Sequence, residues 1–536
     1  MAHLFLRLVF HVMHYVRLFN EYFLTFLFSL MYRKSKRIPP ITDDILLKPA
    51  SHLAEQIRTG KLKSVDLLNR YIARIQAVQP TINAVTGERF SEALLEAAEA
   101  DKLVASGTTS AEELAREKPF LGIPLTTKNC YAVKGMIHDS GLVARAGFRA
   151  PQDADCMALM RTAGAIPLVV TNVPELAMYW ESYNNVHGCT SNPYDTRRIC
   201  GGSSGGEGSL IASAGSVIGI GTDIGGSIRM PAFFNGIFGH KPTTGLVSNK
   251  GQYPPARDAS LDFCLVAGPM CRYADDLSPM LRVMAAKNIS SIKLDEPTDF
   301  RRLKIFYMID DGGSYLVTPV CREMKAAVKK VVRHFADTYD CPITDPGLGS
   351  YFKYSMQIFN ARLAGADVPS FAAELSLLKG EIDVIPELFR WVVGRSPHTL
   401  PALGLCLLER VAPQKGSSAL KHFLNKAVTL RTKLCELLGE DGVFIYPSHP
   451  EPAPFHYQTI FKPFNYAYTA IFNVLGFPVT QCPTGLSSAG LPLGVQVVGN
   501  MYKDHLCLAV AKEIERAFGG WVSPSALETT AMLNGK

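Results

Sequence analysis

The chain has 536 residues, of which 47% are hydrophobic and 19% are charged. This composition is typical of a globular protein with a large core, and it excludes a disordered chain. The net charge of +7 is modest and the only dense basic cluster spans residues 33–37, so we expect no nucleic-acid partner. The twelve cysteines are irregularly spaced without a CxxC pair, which favours reduced, mostly buried thiols over disulfides or a zinc site.

Residues 1–32 are the most hydrophobic segment, and their polar residues recur every three or four positions along one stripe of a helix. About 30 helical residues reach about 45 Å, which is enough to cross a bilayer. Arg7, Arg17 and Glu21 interrupt the apolar run, so a single-pass anchor and a helix lying in the membrane interface are both open. We predict a membrane anchor over residues 1–37, with the following chain facing the cytosol.

Short apolar strands alternate with helices through the middle of the chain. Residues 50–57 predict a helix with Ser51 as its N-cap, and a buried strand is predicted to end at Lys128. This lysine either reaches the surface or turns inward, where burial would lower its pKa and make it a usable base. The alternation predicts an α/β fold in which helices cover both faces of a mixed sheet. Further strands are predicted at 164–171, 216–221, 442–447 and 490–499, and further helices at 64–75, 158–163, 209–213, 278–286, 321–335 and 504–518.

Residues 377–408 form an apolar segment with polar interruptions. We interpret them either as core helices or as a hydrophobic surface that faces a membrane or lines a channel.

The stretch from Cys200 to Thr243 contains twelve glycines and six serines together with apolar runs that a flexible linker lacks. Glycines here are expected to turn the backbone or to bring it close to a bound group. Residues 201–206 and 225–227 place serines among unobstructed N–H groups. A serine nucleophile with a backbone oxyanion hole requires this arrangement.

Other hydrolytic sites fit the sequence poorly. The G-x-S-x-G pattern occurs twice within residues 201–206, but no apolar strand precedes it as a nucleophile elbow requires. There is no H-E-x-x-H zinc motif and no phosphate-binding P-loop. The remaining interpretation is a serine hydrolase whose base is a lysine.

Three motifs in order resemble those of the amidase signature family: residues 122–128 (GIPLTTK), 201–208 (GGSSGGEG) and 221–229 (GTDIGGSIR). Residues 239–242 and 490–499 fit the same pattern. The resemblance implies the amidase-signature fold over residues 65–515. It leaves residues 38–64 as a linker and scaffold helix and residues 516–536 as a C-terminal tail.

The resemblance also implies a Ser–Ser–Lys triad without a metal or cofactor. Ser227 would be the nucleophile, Ser203 the bridging serine and Lys128 the base, with Ser204 as the alternative to Ser203. The oxyanion hole would consist of the backbone N–H groups of Ile224, Gly225, Gly226 and Ser227. Asp223 and Arg229 flank this loop, either as orienting residues or as a surface ion pair.

Within the family, the apolar N-terminus and residues 230–243 resemble members that hydrolyse fatty-acid amides. The expected partners are therefore a lipid amide and a membrane, and a homodimer is compatible with the resemblance. Alternatives are an amidase for short polar amides, a glutaminase of the amidotransferase type, and a lipid-binding membrane protein without catalysis.

Overall fold

An 11-stranded mixed sheet runs through the centre of the computed structural model, which describes residues 23–525. The strand order is β1-β3-β2-β6-β8-β7-β12-β13-β11-β9-β10, and β4 pairs with β5 separately. The strands are β1 (Val85–Glu88), β2 (Pro124–Lys128), β3 (Ile166–Thr171), β4 (Tyr183–Asn184), β5 (Gly188–Cys189), β6 (Ile218–Asp223), β7 (Phe238–Lys241), β8 (Val266–Cys271), β9 (Lys304–Tyr307), β10 (Ile343–Thr344), β11 (Gly442–Pro447), β12 (Val479–Leu486) and β13 (Pro492–Gly499).

Besides the helical residues 23–31, eighteen α-helices surround this sheet within the described part of the chain. They are α1 (Ala50–Arg58), α2 (Ser64–Ile82), α3 (Phe90–Ser106), α4 (Ala111–Glu117), α5 (Asp155–Thr162), α6 (Gly205–Ala212), α7 (Arg229–Phe234), α8 (Ala259–Cys264), α9 (Leu277–Ala285), α10 (Arg322–Tyr339), α11 (Gly349–Phe352), α12 (Ser355–Ala364), α13 (Phe371–Leu375), α14 (Val384–Val392), α15 (Leu400–Arg410), α16 (Ser418–Leu438), α17 (Ala467–Leu475) and α18 (Asp504–Phe518).

The central strands β2, β3, β6, β8 and β11 are buried at every residue. Such continuous burial means that both faces of the sheet are covered there, which explains why β3, β8 and β11 are largely apolar in sequence, whereas β2 and β6 end in buried polar residues. Strand β2 is parallel to both β3 and β6, whereas β6 is antiparallel to β8. The predicted mixed sheet is confirmed, and all twelve cysteines are free and mostly buried.

Several predictions of helix ends are wrong. Helix α2 continues to Ile82 instead of ending at residue 75, α5 begins at Asp155 instead of residue 158, and α10 continues to Tyr339 instead of ending at residue 335. Ser51 does not cap α1; Pro49 occupies the N-cap position, and the Asp276 carboxylate accepts the N–H groups of Ala50 and Ser51 at 2.9 Å each. Because this cap comes from a distant part of the chain, the local sequence does not reveal it. The helix predicted at 209–213 begins four residues earlier, as α6.

Glycines give α6 a low intrinsic helix propensity, and close packing overrides it. A Cβ atom at Gly206 would lie 2.6 Å from the backbone N of Asn172. Glycine at this position therefore lets the helix pack directly on a neighbouring backbone.

The segment at 377–408 contains α14 and α15, and much of α14 is open to solvent. Phe389 is 72% exposed, Val392 is 74% exposed, and the following Val393 is 65% exposed. The opposite side, including Val384 and Leu403, is buried in a small separate cluster. The interpretation as core helices is therefore wrong for the outer face, which is an exposed hydrophobic surface.

Of the predicted membrane anchor, residues 1–22 lie outside the described part of the chain, as do residues 526–536 of the predicted tail. Residues 23–31 are helical and contact the domain through one face. Gln458 Nε2 donates to Thr25 Oγ1 at 2.8 Å, and the Phe28 ring packs edge-on against Phe461 at 6.0 Å. No helix between residues 23 and 525 combines the length and the apolar character needed to cross a bilayer.

Candidate active site

The three predicted catalytic residues lie where the carboxyl ends of β2 and β6 run side by side. Lys128 is the last residue of β2, and the loop carrying Ser227 follows β6 directly. Ser203 lies just before α6, between these strands in the sequence. In open α/β sheets, the carboxyl ends of parallel strands commonly hold the binding site.

Lys128 turns inward and is fully buried. Its Nζ donates to Ser203 Oγ at 2.8 Å and to Thr222 Oγ1 at 2.7 Å. Burial lowers the pKa of Lys128, and the Cys130 thiol and the carboxylates of Asp223 and Glu207 oppose this effect. The lowered pKa favours the neutral amine, which is the form that can accept a proton.

Ser203 is the serine of the adjacent pair that contacts the lysine. Ser204 turns elsewhere, since its Oγ approaches the carbonyl oxygen of Thr222 at 3.5 Å. The Ser203 loop is held from behind by Ser182, whose hydroxyl donates to the carbonyl oxygen of Gly201 at 2.9 Å. At Gly202 a Cβ would lie 2.6 Å from the Tyr179 carbonyl oxygen, so the backbone there needs glycine to pack so closely.

Ser227 lies on the second loop and is almost fully buried. The two loops are joined through the backbone, because Ser204 N donates to Ser227 O at 3.1 Å. In the part of the chain that the structure describes, no hydrogen bond joins the hydroxyls of Ser203 and Ser227. The structure thus brings Lys128 and Ser203 into contact and holds Ser227 on the adjoining loop.

The predicted oxyanion hole contains two kinds of N–H group. Gly226 N donates to Asp223 Oδ1 at 2.6 Å, so this N–H group is already engaged by the protein. The N–H groups of Ile224, Gly225 and Ser227 have no hydrogen-bond partner in the part of the chain that the structure describes. These three stay the candidates for binding an oxyanion.

Asp223 and Arg229 form a buried ion pair of 3.0 Å, so the alternative of a surface pair is wrong. Arg229 also donates to Asn473 Oδ1 at 2.6 Å and to Gln496 Oε1 at 2.8 Å. Burial alone would raise the pKa of Asp223, but Arg229 and Asn473 hold it at about 2. The ionised carboxylate therefore fixes the loop that carries Ser227.

Sequence reasoning missed two polar residues beneath the site. Thr222 is the second hydrogen-bond partner of Lys128, and its signal is a hydroxyl next to Asp223 at the end of an apolar strand. Glu207 is fully buried in the first turn of α6 and accepts hydrogen bonds from Thr126 and Thr171, at 2.7 Å each. Its signal is a lone acid within a run of glycine and serine.

Two aromatic side chains lie close to Gly225 in this loop. A Cβ at Gly225 would lie 3.3 Å from Phe359 and 3.6 Å from Tyr466. The two rings meet edge-on with centroids 5.7 Å apart. The loop that carries Ser227 therefore has two aromatic rings beside Gly225.

One group among the described residues has the donor atoms of a metal site: Glu181, Cys189 and His456. Its carboxylate and one ring nitrogen are hydrogen-bonded without an ion, whereas His456 Nε2 has no partner among the described residues. His456 Nδ1 donates to Glu181 Oε1 at 3.0 Å, and Thr459 Oγ1 donates to Glu181 Oε2 at 2.7 Å. The arrangement is that of a buried histidine–carboxylate pair.

The Amidase family model matches residues 66–508. The chain is 48% identical over 494 residues to fatty-acid amide hydrolase 2-A of Danio rerio, covering 91% of this chain and 92% of the relative. It is 46% identical over 497 residues to fatty-acid amide hydrolase 2 of Homo sapiens, with the same two coverages of 91% and 92%. A solved structure of a fatty acid amide hydrolase superposes with a TM-score of 0.71 at 23% identity, covering 90% of this chain and 86% of that chain, and it confirms the α/β fold.

Proposed function

The chain belongs to the amidase family, and from that premise we propose that it is a serine hydrolase that cleaves fatty-acid amides. The observation that carries the proposal is the buried 2.8 Å hydrogen bond between Lys128 Nζ and Ser203 Oγ, beside the loop that holds Ser227. The extensive identity to proteins named fatty-acid amide hydrolase 2 supports the substrate class. The products would be a free fatty acid and an amine.

Acylation begins with attack of Ser227 Oγ on the amide carbonyl carbon. The Ser227 proton passes to Ser203, and the Ser203 proton passes to the neutral amine of Lys128. The free N–H groups of Ile224, Gly225 and Ser227 would stabilise the oxyanion, at roughly 3–4 kcal/mol for one such donor. When the C–N bond breaks, the proton returns from Lys128 through Ser203 to the leaving amine, and an ester to Ser227 remains.

Deacylation repeats these steps with water as the nucleophile. Lys128 accepts a proton from water through Ser203, and the hydroxide oxygen attacks the ester carbonyl. The ester bond breaks, Ser227 recovers its proton, and the fatty acid leaves. The Ser227 hydroxyl has no hydrogen-bond partner among the described residues, and this cycle requires it to turn toward Ser203.

Two exposed apolar surfaces support membrane association. One is the outer face of residues 23–31, where Phe26 is 58% and Met31 is 72% exposed. The other is the outer face of α14. A helix with one apolar face can lie in the membrane interface, and a lipid amide would reach the site from the same membrane. The proposal also includes a catalytic domain that faces the cytosol and a chain that forms a homodimer.

Release of fatty acid from defined substrates tests the proposal. Purified full-length protein in detergent micelles is offered an N-acylethanolamine, a primary fatty amide, acetamide and glutamine, with S227A as the control. We expect hydrolysis of the two fatty amides by the wild type and none by S227A. Hydrolysis of acetamide or glutamine alone would support a short-amide amidase or a glutaminase instead, and hydrolysis of none would support a lipid-binding protein without catalysis.

A further inference from the structure

Glu207 lies beneath Lys128 on the same face of the sheet. Thr126, which donates to Glu207 Oε2, precedes Lys128 by two residues on β2, so both side chains leave the strand on one side. Thr171, which donates to Glu207 Oε1, pairs directly with Lys128 across the β2–β3 ladder. The carboxyl group is therefore about one strand repeat, roughly 7 Å, from the base of the Lys128 side chain.

The charge of Glu207 has no cation bound to it. Two threonine hydroxyls hold the carboxylate, and no lysine, arginine or histidine in the described residues hydrogen-bonds to it. The charged or titratable groups that act on Lys128 are Cys130, Asp223 and Glu207. Asp223 is paired with Arg229, whereas the Glu207 carboxylate has no counter-ion, and both carboxylates raise the pKa of Lys128.

We propose that Glu207 is a positioning residue that sets the proton affinity of Lys128 and stabilises its charged form during acylation. This inference rests on the proposed function, in which Lys128 takes the Ser227 proton. When it does so, a positive charge forms in a buried site where water cannot solvate it. The Glu207 carboxylate, on the same face of the sheet, stabilises that charge through the low dielectric of the interior.

The pKa of Glu207 itself also depends on burial and on its hydrogen bonds. Burial raises the pKa of Glu207 to about 7, although Thr171 and Thr126 hydrogen-bond to its charged form. The charged forms of Lys128 and Glu207 thus stabilise each other. Burial lowers the pKa of Lys128, and the Glu207 carboxylate raises it. A base whose pKa lies near the working pH is the most effective proton acceptor.

The test is the pH dependence of Ser227 labelling by a fluorophosphonate, a reaction that needs the base but no particular amide. In the wild type the labelling rate is expected to rise with pH as Lys128 becomes neutral, and to do so at lower pH than for an ordinary lysine because burial lowers the pKa of Lys128. E207Q removes the negative charge, so the acid limb should move to lower pH by about one to two units. The plateau rate should also fall, because the charged lysine is less stabilised.

E207D keeps the charge and should restore the position of the acid limb at least in part. T171V removes one hydrogen-bond donor to the Glu207 carboxylate. It should shift the acid limb in the same direction as E207Q but by a smaller amount. This variant provides the test if E207Q does not fold. The matched control is E515Q, since burial also raises the pKa of Glu515 to about 7 but this residue lies on α18 and accepts from Ala274 N. E515Q should leave the profile unchanged.

An unshifted acid limb in folded E207Q, or an equal shift in E515Q, overturns the role of Glu207 while leaving the proposed function intact. Absence of Ser227 labelling in the wild type at every pH overturns both, because no serine nucleophile then exists for Lys128 to activate.

Discussion

Thr222 Oγ1 lies 2.7 Å from Lys128 Nζ, opposite the 2.8 Å contact that the same nitrogen makes with Ser203 Oγ. Two hydroxyls therefore hold the amine at the end of a buried strand. Since the lysine side chain is long and flexible, this second contact fixes where its proton-accepting lone pair can point.

Replacing Thr222 by valine should lower kcat by about 10- to 100-fold with little change in KM. The physical reason is the loss of one hydrogen bond to a group that becomes charged, worth about 1.5–3 kcal/mol. T222S keeps the hydroxyl and should retain most of the activity. Steady-state kinetics on a fatty amide measure both variants, and a T222V kcat equal to that of the wild type would contradict the prediction.

Ser203 and Ser204 form a matched pair for testing the proton relay. S203A removes the hydroxyl that contacts Lys128 and should lower kcat by roughly 10²- to 10⁴-fold, the usual range for general acid–base catalysis. S204A removes a hydroxyl that only approaches the Thr222 carbonyl, so its effect should be within about tenfold. The comparison uses amide hydrolysis at the pH plateau; a larger loss in S204A would assign the bridging role to Ser204.

Gly226 and Gly225 differ in what an added methyl group would meet. At Gly226 the backbone has φ +121° and a Cβ would lie 2.0 Å from Thr469 Oγ1. G226A should therefore displace the loop and lower the rate of Ser227 labelling by about 10² or more. At Gly225 the contact to Phe359 is 3.3 Å and φ is not positive, so G225A should label within about tenfold of the wild type. Circular dichroism checks that both variants fold.

The exposed face of α14 predicts where the domain touches lipid. The triple variant F389S/V392S/V393S should reduce co-sedimentation with phosphatidylcholine vesicles by about tenfold or more, because each apolar side chain contributes up to about 1.5–3 kcal/mol when buried. The control L95S/V428S changes two apolar residues that are 70% and 65% exposed elsewhere and should bind like the wild type. Equal binding of both variants would argue against α14 as the contact surface.

Much of the fold could be predicted from apolar runs. The predicted strand at 442–447 and the predicted helix at 504–518 agree with β11 and α18, because each element carries its own pattern of buried side chains. The cap of α1 could not be predicted in this way, since its acceptor is 226 residues away at Asp276. Similarly, the early start of α6 depends on close packing against Asn172, which glycine content alone does not indicate.

The sequence by itself determined the chemical groups and their local setting: a lysine at the end of an apolar strand, and two glycine-rich loops carrying serines. These are local features, because strand burial and backbone freedom depend on neighbouring residues in the chain. Only the tertiary structure decided that Lys128 turns inward, that Ser203 rather than Ser204 meets it across 75 residues, and that Asp223 engages the Gly226 N–H. Each of these contacts depends on how separate strands and loops pack, and a hydrogen bond forms only where packing brings both partners within about 3 Å.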